Sequence, residues 1–296
     1  MGDTSLTPER SQSLQRKLSI RLLLVVGVIY LAICAFFYFQ QDAMVFPAPK
    51  HFETHTPAEA NIPFEDLHIP VNPYGQIHAW YIPAASASHN TLLYFHGNGY
   101  CLEQTGGAEG EMVPLHATGA NLLMADYRGY GTSTPDQARE KSVYQDARAA
   151  FNYLTQKRNI PAHEIIFVGR SIGTGVATEM AKEHPEAGGL ILISPFTSTI
   201  DVGKTSMWIL NLLPNTLLSH NQFNNLSKID AVHVPLLIVV GDHDTLTPPS
   251  MAQALIARAN EPKHLSLIAG PDHDQMFRVG RQETVAPITA FLETLH

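Results

Sequence analysis

Cysteine is nearly absent. Cys34 and Cys101 are the only two among 296 residues. Cys34 falls inside a long apolar stretch, so no disulfide between them is expected, and the fold needs no oxidising compartment. Basic charge is also scarce. Lys and Arg number 19 against 27 Asp and Glu, a formal net charge of −8. General nucleic-acid binding calls for a basic face, so this balance argues against it. The zinc type of Cys/His spacing is missing. The 15 His are scattered along the chain, and no metal or other cofactor is expected. Internal repeats and low-complexity tracts are missing too. With the first forty or so residues set aside, roughly 255 remain, a length that suits one large domain. The apolar fraction of 45% is ample for its core.

Long apolar runs are confined to one place. Residues 22–39, LLLVVGVIYLAICAFFYF, carry no charge. As a helix they extend about 27 Å at 1.5 Å per residue, and flanking residues lengthen this to a bilayer span. Arg10, Arg16, Lys17 and Arg21 precede the run. Gln40, Gln41 and Asp42 follow it, with no Lys or Arg before Lys50. The positive-inside rule puts the N-terminus in the cytoplasm and the remaining chain across the membrane. That side is periplasmic in a bacterium and lumenal or extracellular in a eukaryote. In a eukaryote, Asn225-Leu226-Ser227 fits the glycosylation pattern. A cleaved signal peptide needs a small-x-small site after the apolar core, and Phe36-Phe37-Tyr38-Phe39 offers none. Ile33 is the wrong residue before Cys34 for lipoprotein cleavage. The reading is an uncleaved signal anchor, with a cytoplasmic tail at 1–20, a transmembrane segment at 21–41 and a folded domain at 42–296.

Residues 42–63 are rich in Pro, His and Thr and read as an entry loop. Short apolar runs with β-branched content follow at 65–69, 76–82, 91–95, 121–125, 164–168, 190–193, 236–240 and 264–268. Such runs suit strands buried on both faces of a parallel sheet. The first two flank Asn72-Pro73-Tyr74-Gly75, a turn signature, and read as a hairpin at an antiparallel edge. Between the later runs lie helical patterns. Val143, Ala147, Ala150, Phe151 and Leu154 mark one over 142–157, and others lie at 172–183, 249–259 and 284–295. Alternating strand and helix predicts an α/β fold with a mostly parallel sheet flanked by helices. The stretch 195–234 is long for a connection. Its apolar middle, Met207-Trp208-Ile209-Leu210 and Leu212-Leu213, reads as a small helical cap over the sheet's carboxyl edge. A surface excursion with its own small core is the other reading.

One of these runs carries chemistry. Glu164-Ile165-Ile166-Phe167-Val168 leads into Gly169-Arg170-Ser171-Ile172-Gly173, and a small-residue helical pattern follows at once. That is strand, sharp turn and helix with a serine at the apex, where glycines leave room for crowded backbone. A helix N-terminus beneath the serine favours negative charge developing there. A free hydroxyl is a weak nucleophile, so a base and an orienting acid must be near. Open α/β sheets place sites at the carboxyl ends of strands. The run at 236–240 ends in Gly241-Asp242-His243-Asp244, and the run at 264–268 ends in Ala269-Gly270-Pro271-Asp272-His273. His273 is the candidate base. Asp242 and Asp244 compete for the acid, with Asp244 preferred and Asp242 assigned to the turn. An oxyanion needs amide donors. The N–H of Ile172 follows the nucleophile directly, and the N–H of Asn98 lies in the glycine-rich loop His96-Gly97-Asn98-Gly99. His96 itself reads as a packing residue.

These residues resemble those of the α/β-hydrolase superfamily, whose members order their triad Ser, Asp, His along the chain. The chain is most similar to the membrane-anchored serine hydrolases of the α/β-hydrolase domain-containing branch. The likeness rests on His96-Gly97-Asn98-Gly99, on Asp126-Tyr127-Arg128-Gly129-Tyr130-Gly131-Thr132-Ser133 and on Gly169 through Gly173. It rests further on Ser194-Pro195-Phe196-Thr197-Ser198, on Gly241 through Pro248 and on Gly270 through Asp274. It runs from Met44 to the end, and the anchor followed by Met44-Val45-Phe46-Pro47 belongs to it. Asp126 and Arg128 read as loop-bracing residues. Gly99-Tyr100-Cys101 departs from the family pattern and could reshape the oxyanion loop or the pocket mouth. The resemblance implies the α/β-hydrolase fold, a Ser171-His273-Asp244 triad and no metal, but no particular substrate. The expected function is a membrane-tethered serine hydrolase that cleaves ester or thioester bonds of small-molecule or lipid-like acyl substrates through an acyl-enzyme. A serine peptidase on the same fold and a catalytically silent membrane-tethered binding protein are the alternatives.

Overall fold

The computed structural model describes residues 8–49, 54–73, 75–106, 110–215 and 219–295. Tyr74 of the expected hairpin turn, 50–53 of the expected entry loop, 1–7 of the expected tail and 216–218 of the cap stretch lie outside the described residues.

Strands β1 (Glu65–Pro70) and β2 (Gln76–Ile82) form the expected hairpin, with Leu67 opposite Ala79. Strands β3 (Thr91–Phe95), β4 (Asn121–Ala125), β5 (Ile165–Arg170), β6 (Gly189–Ile193), β7 (Leu236–Gly241) and β8 (Lys263–Ile268) complete one sheet. Its order is β1-β2-β4-β3-β5-β6-β7-β8. Strand β2 pairs antiparallel with β4, and all pairs beyond β4 are parallel. The central strands β3, β5, β6 and β7 are buried at every position, which is why they carry apolar side chains on both faces. The edges are managed by polarity. Glu65, Asp66 and Pro70 sit on β1, and Lys263, His264 and Ser266 on β8, residues that discourage pairing with another chain.

Side chains alternate across the sheet and divide the core in two. Leu93, Phe167, Leu190 and Ile238 pack with helices α4 (Glu140–Asn152), α5 (Gly173–Glu183) and α7 (Pro249–Arg258). Tyr94, Val168, Ile191 and Val239 pack with α2 (Leu102–Thr105), α3 (Met112–His116) and α8 (Arg281–Glu293). The pattern read over 142–157 holds as a buried stripe, but the α-helix stops at Asn152 and finishes as a π-helical turn, Tyr153–Lys157.

Helix α1 (Pro8–Val45) is longer than the expected span at both ends. Residues 42–45, expected in the entry loop, are its last turn. Within Gln15–Val45 its most apolar eighteen-residue window has a mean hydropathy of 2.7, and Leu23 is 71% exposed. A core helix would bury that surface, so this helix is a candidate membrane span. The stretch 195–234 does form a small cap: α6 (Thr199–Ser206) and a 3-10 turn, Trp208–Leu212. Ser198 caps α6 by accepting the Asp201 N–H at 3.1 Å. One expectation fails here. Asn225, the glycosylation candidate, is fully buried and donates its amide to the Phe196 carbonyl at 3.1 Å. A sugar cannot be attached to that nitrogen in the folded chain.

Candidate active site

Ser171 opens the turn between β5 and α5 with φ of 51°, a left-handed backbone that a side chain adopts at a cost of about 1–3 kcal/mol. The surroundings hold it there. Its N–H donates to the Ile193 carbonyl at 3.0 Å, and its carbonyl accepts from the Thr174 N–H at 2.9 Å. Glycine is required on both sides for lack of space. A Cβ at Gly173 would run into the carbonyl of Phe95, and one at Gly169 into the carbonyl of Gly173.

The loops after β7 and β8 reach this hydroxyl. His273 Nε2 lies 2.9 Å from Ser171 Oγ. His273 Nδ1 lies 2.8 Å from Asp244 Oδ2. All three side chains are buried. Burial pushes the Asp244 carboxyl up. Hydrogen bonds from His273 and Thr247 outweigh it and hold the group below its ordinary value. Asp244 Oδ1 accepts the N–H groups of Leu246 at 3.0 Å and Thr247 at 2.8 Å. Asp242 accepts the Gly270 N–H at 2.7 Å and so ties the two loops together. Of the two competing aspartates, Asp244 is therefore the one on the imidazole, and Asp242 shapes the turn. Asn98 and Ile172 both line the cavity at Ser171, and the loop of Asn98 comes close: a Cβ on Gly97 would sit 3.5 Å from Ser171 Cβ. His96 is buried, with Nδ1 2.7 Å from the Gly97 carbonyl, as a packing residue would be. Arg128 braces its loop through Asp146 at 2.6 Å, and Asp126 accepts the Leu102 N–H at 3.0 Å.

Two positioning residues were not found from the sequence. Thr247 Oγ1 donates to Asp244 Oδ2 at 2.9 Å and lies 3.1 Å from His273 Nδ1. Arg170, inside the serine motif, pairs with Glu111 at 2.7 Å and donates to the His273 carbonyl at 3.2 Å. Burial works against the Arg170 charge, but Glu111, Tyr100 and Asp274 outweigh it and hold its pKa above the ordinary value. Both residues act on the loops of Asp244 and His273, and those partners are set only by folding. Their hydrogen-bonding side chains next to motif residues were the sole signal.

Folding also assembles a cluster that the sequence did not display. His78, Glu103 and Asp126 bring ligand-type atoms within 4.8 Å of one another. They come from β2, α2 and the end of β4, so no spacing betrays them. The group lies under the loop of His96 rather than at Ser171, with His96 Nε2 3.4 Å from Asp126 Oδ1. Its donor set could hold a divalent cation. A charged imidazole accounts for it equally: His78 Nε2 is 2.6 Å from Asp66 Oδ1 and Nδ1 is 3.6 Å from Asp126 Oδ2.

The cavity at Ser171 has a volume of about 300 Å³ and a mostly apolar lining. Its walls come from the cap, from the Ser171 turn and from the end of α1. Among the described residues, no Asp, Glu, Lys or Arg lines it.

Known proteins resemble this chain. Residues 87–230 match the family model described as serine aminopeptidase, S33. An uncharacterized protein of Mycobacterium tuberculosis is 30% identical over 269 residues, spanning 88% of this chain and 90% of its own. The α/β hydrolase domain-containing protein WAV2 of Arabidopsis thaliana is 25% identical over 253 residues, 79% of this chain and 80% of its own. The chain belongs to the α/β-hydrolase superfamily. This α/β-hydrolase is also 29% identical over 198 residues to human α/β hydrolase domain-containing protein 17B, covering 64% of this chain and 62% of the relative. An esterase of Pyrococcus furiosus shares its fold, with a TM-score of 0.68 at 20% identity over 83% of this chain and 98% of the esterase. It is a hydrolase of the α/β-hydrolase domain-containing branch.

Proposed function

We propose that this α/β-hydrolase is a membrane-anchored serine hydrolase that cleaves acyl esters or thioesters through an acyl-enzyme. The observation that carries the reading is the continuous chain Ser171 Oγ, His273, Asp244, with links of 2.9 and 2.8 Å. Ser171 Oγ attacks the acyl carbonyl carbon while His273 Nε2 takes its proton. Asp244 holds the Nδ1–H tautomer and stabilises the imidazolium. The N–H groups of Ile172 and Asn98 receive the oxyanion, with the N-terminus of α5 adding its dipole. His273 then gives its proton to the leaving alkoxide or thiolate. Water repeats the sequence on the acyl-serine and releases the acid.

The uncharged, mostly apolar cavity supports acyl chains as the bound part of the substrate. The family description raises a peptidase as a second reading. An aminopeptidase needs a carboxylate to receive the substrate ammonium, and none is among the described residues that line this cavity. For the anchor, the asymmetry of Arg10, Arg16, Lys17 and Arg21 before the apolar run supports a cytoplasmic N-terminus and a folded domain, 42–296, on the opposite side.

Ser171→Ala tests the assignment. It should lower kcat/KM for a p-nitrophenyl ester by at least about 10⁴-fold and abolish labelling by a fluorophosphonate probe. Unchanged labelling of that variant would defeat the assignment, and wild-type protein that takes no label would favour a silent binding protein.

A further inference from the structure

The helix that carries the anchor is also part of the wall around Ser171. Phe37, Gln41, Met44 and Val45 line the cavity together with Ile200 and Leu210 of the cap. The end of the helix is pinned to the domain by polar contacts. Asp42 receives Arg139 Nε, His220 Nε2 and Asn221 Nδ2, each at 2.7 Å. Gln41 Oε1 accepts the His220 N–H at 2.8 Å.

A second contact lies far up the apolar part of the helix. Tyr30 OH donates to the Leu212 carbonyl at 3.2 Å. Tyr30 precedes Asp42 by about three helical turns, so the cap runs alongside the uncharged stretch 22–39 rather than stopping at its polar end. The cap tip suits that neighbourhood. Residues 207–213, MWILNLL, carry no charge. Trp208 and Leu212 are 72% and 59% exposed, apolar area that water would oppose. The tip also satisfies its own backbone. Asn211 donates its amide to the Trp208 carbonyl at 3.1 Å and Asn215 to the Leu210 carbonyl at 2.5 Å, while Tyr30 serves Leu212. Irregular backbone that meets hydrocarbon needs such internal partners, because lipid tails offer none.

We infer that the cap tip, residues 206–213, inserts beside α1 into the leaflet that faces the folded domain, and that the substrate's acyl chain enters the Ser171 cavity from that leaflet, between α1 and the cap. The substrate class is then a bilayer-resident long-chain acyl ester or thioester, presented chain first. This rests on the serine hydrolase reading above. The carbonyl to be attacked arrives at Ser171 from the leaflet, and the apolar chain stays in contact with Phe37, Met44, Ile200 and Leu210 throughout its passage.

The chain carries its own probe. Of its two tryptophans, Trp80 is 2% exposed and Trp208 72%, so Trp208 alone reports on the surroundings. Full-length protein is reconstituted in phosphatidylcholine vesicles with brominated acyl chains. Trp208 emission should be blue-shifted and quenched by the bromines, and the quenched component should vanish in Trp208→Phe. Water-like emission, quenched by acrylamide and untouched by bromines, would overturn insertion. The second arm compares p-nitrophenyl acetate in water with a long-chain acyl ester held in the vesicles. The double variant Trp208→Asp, Leu212→Asp should lose about tenfold or more on the embedded ester while p-nitrophenyl acetate turnover holds within about twofold. Equal turnover of the embedded ester by both proteins, or an equal loss on both substrates, would overturn the entry route. Failure of the serine reading looks different: wild-type protein would turn over neither substrate. That result removes the entry route too, and the quenching then decides insertion alone.

Discussion

Ser171 occupies a backbone conformation that only a tight surrounding can hold, and the residues that hold it are the ones most open to test. Asp244→Asn should lower kcat by about 10⁴-fold with little change in shape, because the amide favours the wrong imidazole tautomer. The same variant reports on stability. The Asp244 carboxyl is held below its ordinary value, so its contribution is complete above the usual carboxylate range and is lost as pH falls through the lowered folded value. The melting-temperature gap between wild type and Asp244→Asn should therefore be full at neutral pH and close in acid. A gap that widens in acid would contradict the assignment. Arg170→Met leaves Glu111 buried without its partner and unties the His273 carbonyl. Denaturant melts should show a loss of about 3–5 kcal/mol, and kinetics should show kcat falling more than KM rises. That Ser171, Asp244 and His273 come together was legible in the sequence because each follows a strand, and strand ends converge in this architecture. Arg170 and Thr247 were not, because their roles depend on which loops meet.

Elements were legible where burial is complete and blurred where it is shared. Strands β3, β5, β6 and β7 read clearly because both faces are apolar. Helix α4 was read as reaching Lys157, since Leu154 continues the buried stripe although the backbone has widened into a π-helical turn. The hairpin β1-β2 held a surprise in His78. Burial opposes its charge, but Asp126 and Asp66 outweigh burial and hold its pKa above the ordinary value. A raised histidine stabilises fully below the unfolded value, and this contribution is lost as pH rises through the folded one. Melting temperature should fall as pH is taken upward through that window, and His78→Gln should flatten the slope. A wild-type profile flat across that window, or a slope the variant leaves intact, would assign the cluster another role. Addition of a divalent cation separates the alternatives, because a bound ion would raise the melting temperature of wild type and not of His78→Gln.

At the scale of the molecule, the chain is a polar-edged sheet domain joined to a long exposed apolar helix. The helix and its flanking charges were legible in the sequence, but its partnership with the domain was not. The positions that make that partnership, Tyr30, Phe37, Gln41, Asp42 and Met44, look ordinary for a helix leaving a bilayer. Alkaline carbonate should leave the protein in the membrane pellet and detergent should release it, and a reporter fused to the N-terminus should resist protease added from the side of the folded domain. Release by carbonate would refute the anchor.

The clasp at Asp42 changes what kind of part the N-terminal segment is. A leash can be exchanged for any other leash of equal length. Here a chimera bearing a foreign apolar helix would keep its length with one flank of the Ser171 cavity missing. The helix end is therefore a structural part of the chamber, and its residues should be read with the domain's own vocabulary rather than as a postal address.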